Sequence, residues 1–391
     1  MTYFIGIDIA KFKHDCFIMD QDGIVIRNSF TFSNDKAGFD QLLSILNSLD
    51  PSHEKRIGFE ATGHYGMNLK IFLEENNFSF MEINPILIKR FSSATTLRKT
   101  KTDKADAILI SSYLTSVEYK TYPTKSYHIN NLKSLSRSRE ALVKERSLQL
   151  VRLTNVLDKV FPEFKPFFGG SLKSATALYI LENYTLPSKI ANMNAASYKS
   201  ISGKLRRTFS YAKFLKLKEL AKNTVGKEDD ILTFQLRMYL DLYKQIDAKI
   251  SETEMKIEQE FKQVDCHIQT IKGIGLYSAA AIFSEYGNIH SFENANQMLS
   301  YAGLEPSRDD SGQHSYSGHM VKHGSSHIRY TILNSAEMVI LHNPVFYDYY
   351  HKKRNEGKAH RVALSHVARK LVRIIFYLEK NGIDFDPEKL R

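Results

Sequence analysis

Apolar and polar residues alternate with the two-residue period of half-buried strands over residues 3–9, 14–19 and 24–32. Gln21, Asp22 and Gly23 supply a hairpin turn between the second and third of these segments. The period then lengthens. Over residues 38–49, Phe39, Leu42, Leu43 and Leu46 recur at helical spacing and predict one apolar face. A strand at 56–61, a helix at 66–76 and a strand at 79–83 follow, closed by Pro85. Three early antiparallel strands followed by alternating helix and strand predict an α/β domain with a mixed sheet.

Beyond residue 129 the pattern turns helical. Leu135, Leu142, Leu150, Leu153, Leu157 and Val160 recur among Lys and Arg over residues 132–160. A second series, Leu232, Leu236, Tyr239, Tyr243, Ile246, Ile250, Ile257 and Phe261, steps by four and three, with Thr253 at the skipped position. That mean spacing is the seam of a coiled coil. Residues 161–226, with their Pro, Gly and short apolar runs, predict a small helical insert between the two long helices. Further on, Gly273 and Gly275 precede an Ala-rich helix, as in a helix-hairpin-helix turn whose backbone N–H groups accept a phosphate. Residues 303–324 are polar and rich in Gly, Ser and His, which predicts a loop or a short β excursion before closing basic helices. The expected class is α/β plus α: a mixed sheet, central coiled-coil helices and a mainly helical C-terminal domain.

Composition changes this picture in one respect. The 391 residues suffice for two or three domains, and 42% hydrophobic content is ordinary, but the net charge of +11 favours a polyanionic partner. No apolar run approaches a membrane span and no signal-peptide pattern opens the chain, so nucleic acid outranks membrane and a cytoplasmic, nucleoid-associated location is expected. Cys16 and Cys266 are too few for a disulfide framework and are expected as buried free thiols.

Four acidic residues carry the chemistry. Asp8 interrupts an apolar strand, where an unpaired carboxylate is costly, and Glu60 closes another with the same pattern. Asp103 and Asp106, three apart, share a helix face. Flanking Lys99, Lys101 and Lys104 leave surface ion pairing as the plainer reading of that pair. Acids on a first strand, a middle strand and a late helix follow the order of a ribonuclease-H-like domain. Such a set holds Mg²⁺ against a phosphodiester, because hard cations take oxygen ligands.

These residues sit in strings that resemble a known family. They are GIDIAK from Gly6, GFEATG from Gly58, KTDKADA from Lys101, Ile274-Gly275, and YAGLEP from Tyr301 followed by Ser311-Gly312. Over nearly its whole length the chain is similar to the insertion-sequence transposases of the "one-ten" family. The resemblance implies a RuvC-like DEDD domain at residues 1–125, a coiled-coil region with its insert at 126–262, and a transposase domain carrying a catalytic serine at 263–391. It implies a recombinase that excises and inserts its own element, with a serine attacking a DNA phosphate to give a covalent intermediate. It further implies donor and target DNA as substrates, a structured guide RNA, and a dimer or tetramer. By motif position the nucleophile is Ser311, with Ser307 of the same loop as the alternative. Asp309 and Asp310 beside it place negative charge where a phosphate must approach.

Basic clusters are expected to meet nucleic-acid backbones: Arg137, Arg139 and Arg146 on the first long helix, and Lys322 and Arg329 near the serine loop. His314, His319, His323 and His327 have no accompanying cysteine and fit no common zinc spacing, so phosphate contact is the expectation there too. Three rivals remain open from the residues. A kinase or ATPase of the actin–hexokinase type would need a second Gly-rich phosphate loop. A Holliday-junction resolvase would use the acids with water and no serine. A nucleic-acid-binding scaffold would need neither.

Overall fold

The computed structural model describes residues 1–61, 63–95, 103–119, 127–204, 209–311 and 314–390. Side chains at a few of these positions, Asp103, Ser307 and Ser311 among them, lie outside the description, as do the motif residues Thr62, Lys101, Thr102 and Gly312 altogether. The chain divides into two compact units, Met1–Ser126 and Tyr127–Arg391.

In the first unit, β1 (Thr2–Ile9), β2 (Lys13–Asp20) and β3 (Val25–Ser33) form an antiparallel meander, followed by α1 (Lys36–Ser48), β4 (Glu54–Glu60), α2 (Met67–Glu75), β5 (Phe80–Ile83), α3 (Pro85–Thr95) and α4 (Asp103–Ser116). The sheet order is β3-β2-β1-β4-β5, with β4 parallel to both β1 and β5. This is the mixed sheet expected from the alternation. Helix α3 was not foreseen; Pro85, which reads as the end of the strand, occupies the start of this helix, where its missing N–H costs nothing.

Both faces of the sheet are covered. Ile5, Ile7, Cys16, Ile18, Ile57 and Phe59 pack with Leu42 and Leu46 of α1 and Leu69 and Leu73 of α2. Phe4, Phe17 and Met19 pack with Ile88 of α3 and Ala107, Ile110 and Leu114 of α4. Gly6 and Gly58, paired across β1 and β4, let α4 lie close: a β carbon on Gly6 would come within 2.6 Å of Ser111 Oγ, and one on Gly58 within 2.8 Å of Leu114 Cδ2. Just beyond α4, the Tyr119 hydroxyl accepts from the Ile57 N–H at 3.0 Å and donates to the Ser79 carbonyl at 3.0 Å. Helix α4 therefore crosses the sheet obliquely, its end over β4 and its beginning over β1 and β2.

The second unit is built on two long antiparallel helices, α5 (Tyr127–Val160) and α11 (Asp230–Phe261). The insert between them holds α6 (Phe164–Phe167), α7 (Ala175–Tyr184), α8 (Pro187–Ala191), α9 (Ala195–Lys204) and α10 (Tyr211–Lys222). Then come α12 (Leu276–Tyr286), α13 (Ala295–Tyr301), the hairpin β6 (Pro306–Ser311) and β7 (His314–Met320), α14 (Ser326–His342), α15 (Pro344–Asn355) and α16 (His360–Asn381). One apolar core lies among α12, α13, α14 and α16; another lies between the insert and the facing ends of α5 and α11. The seam on α11 is wider than the four-and-three pattern. Leu240, outside that pattern, is buried, while Leu232 and Tyr239 are half-buried, because this end of α11 packs on the insert as well as on α5.

The helix-hairpin-helix expectation needs correction in its first arm. Only a single 3-10 turn, Ile268–Thr270, precedes the glycines. Glu379 of α16 caps it, accepting from the N–H groups of His267 at 2.7 Å and Ile268 at 2.9 Å. Gly273 adopts φ +103° against the backbone of Met338 and Val339, so its glycine serves a close approach inside the unit. Gly275 caps α12 with open space around it. Both cysteines are free thiols, Cys16 fully buried and Cys266 partly so. No helix among the described residues is long and apolar enough to cross a membrane.

Candidate active site

In the first unit, the register of the parallel pair decides where the acids fall. Ile7 pairs with Phe59, so the next residues, Asp8 just before the end of β1 and Glu60 at the end of β4, stand side by side. Neighbouring strands lie about 4.8 Å apart, which puts the two carboxylates within reach of one small ligand. Both are half-buried on the sheet face that α4 covers. Asp15 of β2 is the antiparallel partner of Asp8 on the same face; it is buried, and its Oδ1 accepts from the Thr31 hydroxyl at 2.6 Å. The strand order thus aligns Asp15, Asp8 and Glu60 across β2, β1 and β4. The first turn of α4, with Asp103 at its start and half-buried Asp106 one turn on, lies over the same face.

Among the described residues, no three His, Cys, Asp or Glu side chains stand close enough to form a ready-made metal cluster. The donor set nevertheless fits a hard divalent cation: it offers carboxylate oxygens only, from adjacent strand ends, with no sulfur or imidazole among them. Asp15 was missed by sequence reasoning. Its signal was a carboxylate inside the apolar run of β2, directly opposite Asp8 once the short connection at residues 10–12 sets the β1–β2 register.

The second unit contains the serine segment. Ser311 is the last residue of β6, paired with His314 of β7, so it stands next to the tip of a β-hairpin. Ser307 is near the base of the same strand. Below the tip, the stems are pinned together. The Ser325 N–H donates to the Tyr301 carbonyl at 2.9 Å, the Val321 N–H to Glu305, and Arg329 Nη1 to the carbonyls of Ala302 and Lys322 at 3.3 Å each. Arg329 is therefore half-buried structural support for the hairpin base, while Lys322 is exposed in that loop with φ +55°. Gly324 and Gly303 meet there so closely that a β carbon on Gly324 would come within 2.5 Å of Gly303 N.

Arg137, Arg139 and Arg146 of α5 are engaged within the unit, which sequence reasoning did not anticipate. Arg137 grips Glu285 of α12 through two hydrogen bonds, Arg139 pairs with Glu254 and stacks on Tyr277, and Arg146 pairs with Asp247. The hydrogen bonds that Arg137 donates to Glu285 hold its guanidinium more firmly protonated than usual. A phosphate would have to compete with these carboxylates. Nearby, His327 Nδ1 and Glu140 Oε2 are 2.8 Å apart; burial raises the Glu140 pKa, but its hydrogen bonds with Lys144 and His327 bring it below the usual range. The side chains of His314 and His319 lie outside the description.

A family model for the DEDD transposases of the IS110 group, described as "Transposase", matches residues 5–162, and a second, "Transposase IS116/IS110/IS902 family", matches residues 266–351. The chain belongs to the IS110 family of transposases. It is 23% identical over 392 residues to the insertion element IS116 uncharacterized 44.8 kDa protein of Streptomyces clavuligerus, covering 98% of this chain and 96% of that protein. It is 23% identical to the mini-circle putative transposase for IS117 of Streptomyces coelicolor, over 100% of this chain and 96% of the relative. The pilin gene-inverting protein of Moraxella bovis is 24% identical over 98% of this chain and 97% of its own length. This transposase is accordingly an enzyme of DNA transposition or recombination. The first model's match runs through α5 and includes all four acids; the second contains Gly273, Gly275, Ser311 and the hairpin base.

Proposed function

We propose that this transposase breaks and rejoins DNA by serine attack, with Asp8, Glu60, Asp103 and Asp106 as the acidic half of the site and Ser311 as the nucleophile. The observation that carries the reading is the pairing of Ile7 with Phe59, which sets two carboxylates side by side at adjacent strand ends under the acidic first turn of α4. The position of Ser311 at the far end of β6 from a pinned hairpin base supports its role, since a fixed base holds the strand that carries it in a defined direction.

The exchange balances without net hydrolysis. Ser311 Oγ loses its proton and forms a bond to phosphorus, and the DNA oxygen leaves as a hydroxyl. A hydroxyl from the other DNA then displaces the serine, restoring both the phosphodiester and the Ser311 hydroxyl. The four carboxylates would hold Mg²⁺, which when bound polarises the attacked phosphate. Donor and target DNA fit the charge of +11 and the relatives named for insertion elements and gene inversion. We infer that a structured RNA supplies sequence choice by base pairing while the protein holds backbones, and that a dimer or tetramer carries out the exchange.

The test is recombination between two supercoiled plasmids by the protein purified with its co-purifying RNA. Activity lost on ribonuclease treatment and restored by the recovered RNA supports the guide. Ribonuclease-resistant exchange would remove the RNA from the proposal, and simple nicking without rejoining would favour a resolvase that uses water.

A further inference from the structure

Glu285 stands out because nothing in the proposed chemistry uses it. It lies on α12 among the buried Ala279, Ala280, Ile282 and Tyr286, and is itself only 3% exposed. A carboxylate in such surroundings is costly unless it is paired and hydrogen-bonded. Its oxygens are fully engaged. Arg137 Nε donates to Oε1 at 2.5 Å and Arg137 Nη2 to Oε2 at 3.1 Å; the Ser325 hydroxyl donates to Oε2 at 3.1 Å, and Lys133 Nζ lies 3.9 Å away. The main-chain oxygen of the same residue accepts the Tyr301 hydroxyl at 3.1 Å.

Two of these partners bracket the serine hairpin. Tyr301 ends α13 just before β6, and Ser325 follows β7 and caps α14 by accepting from the Ile328 N–H. One residue therefore ties down both the entry and the exit of the segment that carries Ser311. The guanidinium that holds this residue comes from α5, within the stretch matched by the DEDD model, whereas Glu285, Tyr301 and Ser325 lie within the stretch matched by the second.

We propose that Glu285, clamped by Arg137, is a positioning residue for strand exchange: it fixes both stems of the Ser311 hairpin and transmits any displacement of α5 to them. The proposal rests on the reading of Ser311 as nucleophile. A hydrophobic residue of similar volume on α12 would serve stability as well as a buried ion pair does. The carboxylate adds directional bonds to the exit stem at Ser325 and to α5, while the main-chain oxygen of the same residue holds the entry stem at Tyr301.

An acid cannot itself bind phosphate, so Glu285→Gln separates positioning from DNA contact. The experiment compares wild type, Glu285→Gln, the neutral pair Glu285→Gln with Arg137→Gln, and the milder Tyr301→Phe. A control, Glu254→Gln, removes an α5–α11 ion pair away from the hairpin. For each, the rate of covalent protein–DNA adduct formation, the DNA affinity and the melting temperature are measured. We expect Glu285→Gln to slow adduct formation about 10–100-fold at unchanged affinity, the effect of a misplaced reacting group. Tyr301→Phe should slow it less, and Glu254→Gln should leave it unaltered. In the neutral pair the melting temperature should recover while the rate stays low. A rate that recovers together with the melting temperature, or a wild-type rate in both Glu285→Gln and Tyr301→Phe, would overturn the proposal. Ser311→Ala in the same series isolates the underlying reading: adduct formed without that hydroxyl refutes the nucleophile, whereas a dead Ser311→Ala beside a fast Glu285→Gln refutes the clamp alone.

Discussion

Gly6 of β1 lies directly beneath Ser111 of α4, so close that a β carbon on the glycine would come within 2.5 Å of the Ser111 backbone nitrogen. Ser111 completes the contact by donating its hydroxyl to the Phe17 carbonyl of β2 at 3.1 Å. This contact sets the height of α4 over the sheet, and with it the position of Asp106 relative to Asp8.

Gly6→Ala is therefore expected to lift α4. Overpacking of this kind costs about 1–3 kcal/mol. Cleavage should fall further than that loss of stability explains, because the acids separate. Thermal melts alongside DNA cleavage assays check this; cleavage that tracks the folded fraction alone would assign Gly6 to packing only.

At the other end of the proposed site, Gly324→Ala should disturb the hairpin base, since the Tyr301 carbonyl oxygen and Gly303 N occupy the space a methyl group needs. Amide exchange at Val321 and Ser325, whose N–H groups are bonded to Glu305 and Tyr301, should accelerate. Adduct formation should fall with it, while the first unit's melting is unaffected.

Asp8→Asn and Glu60→Gln each remove one charge from a face on which Asp15, Asp8 and Glu60 stand on neighbouring strands. Cleavage should drop about 100-fold or more, as when one electrostatic group is taken from a reaction centre. Chelation of divalent cations should match that loss in wild type; undiminished cleavage in chelator would exclude the metal.

His14 gives a pH dependence. It is buried between Phe32 and Phe39, with ring centroids 5.1 and 6.2 Å away. Burial lowers its pKa below the ordinary 6.5, against opposing contributions from Asn34 and Asp15. The unfolded chain thus binds the proton more readily than the folded one. Stability from this group is complete above pH 6.5 and declines as the pH falls toward the lowered folded value. His14→Phe should flatten the difference in melting temperature between pH 7.5 and 5.5, measured in the same two buffers, by about the share one imidazole contributes.

Much of the first unit is legible in its alternation. The run from Tyr3 to Ile9 sends odd residues to the α1 face and even ones to the α4 face, and that parity alone aims Asp8 away from the Ile5 and Ile7 core. Register is less legible. The adjacency of Asp8 and Glu60 depends on Ile7 meeting Phe59, and the role of Asp15 depends on the Asp8 pairing, neither of which periodicity encodes. In the second unit the long helices and the polar segment around Ser311 are visible, but not the partners of their charges. Arg137 looks like a solvated cation because Glu285 is 148 residues away. The one signal was a lone carboxylate in the apolar Ala-rich helix α12, a position that asks for a partner.

The most direct measurement is to trap the protein on labelled DNA, digest it, and identify the peptide that retains the label. The account predicts label on Ser311 in wild type, none in Ser311→Ala, and none in Asp8→Asn despite intact DNA binding. Label on any other residue, or an adduct that persists in Ser311→Ala, would contradict it.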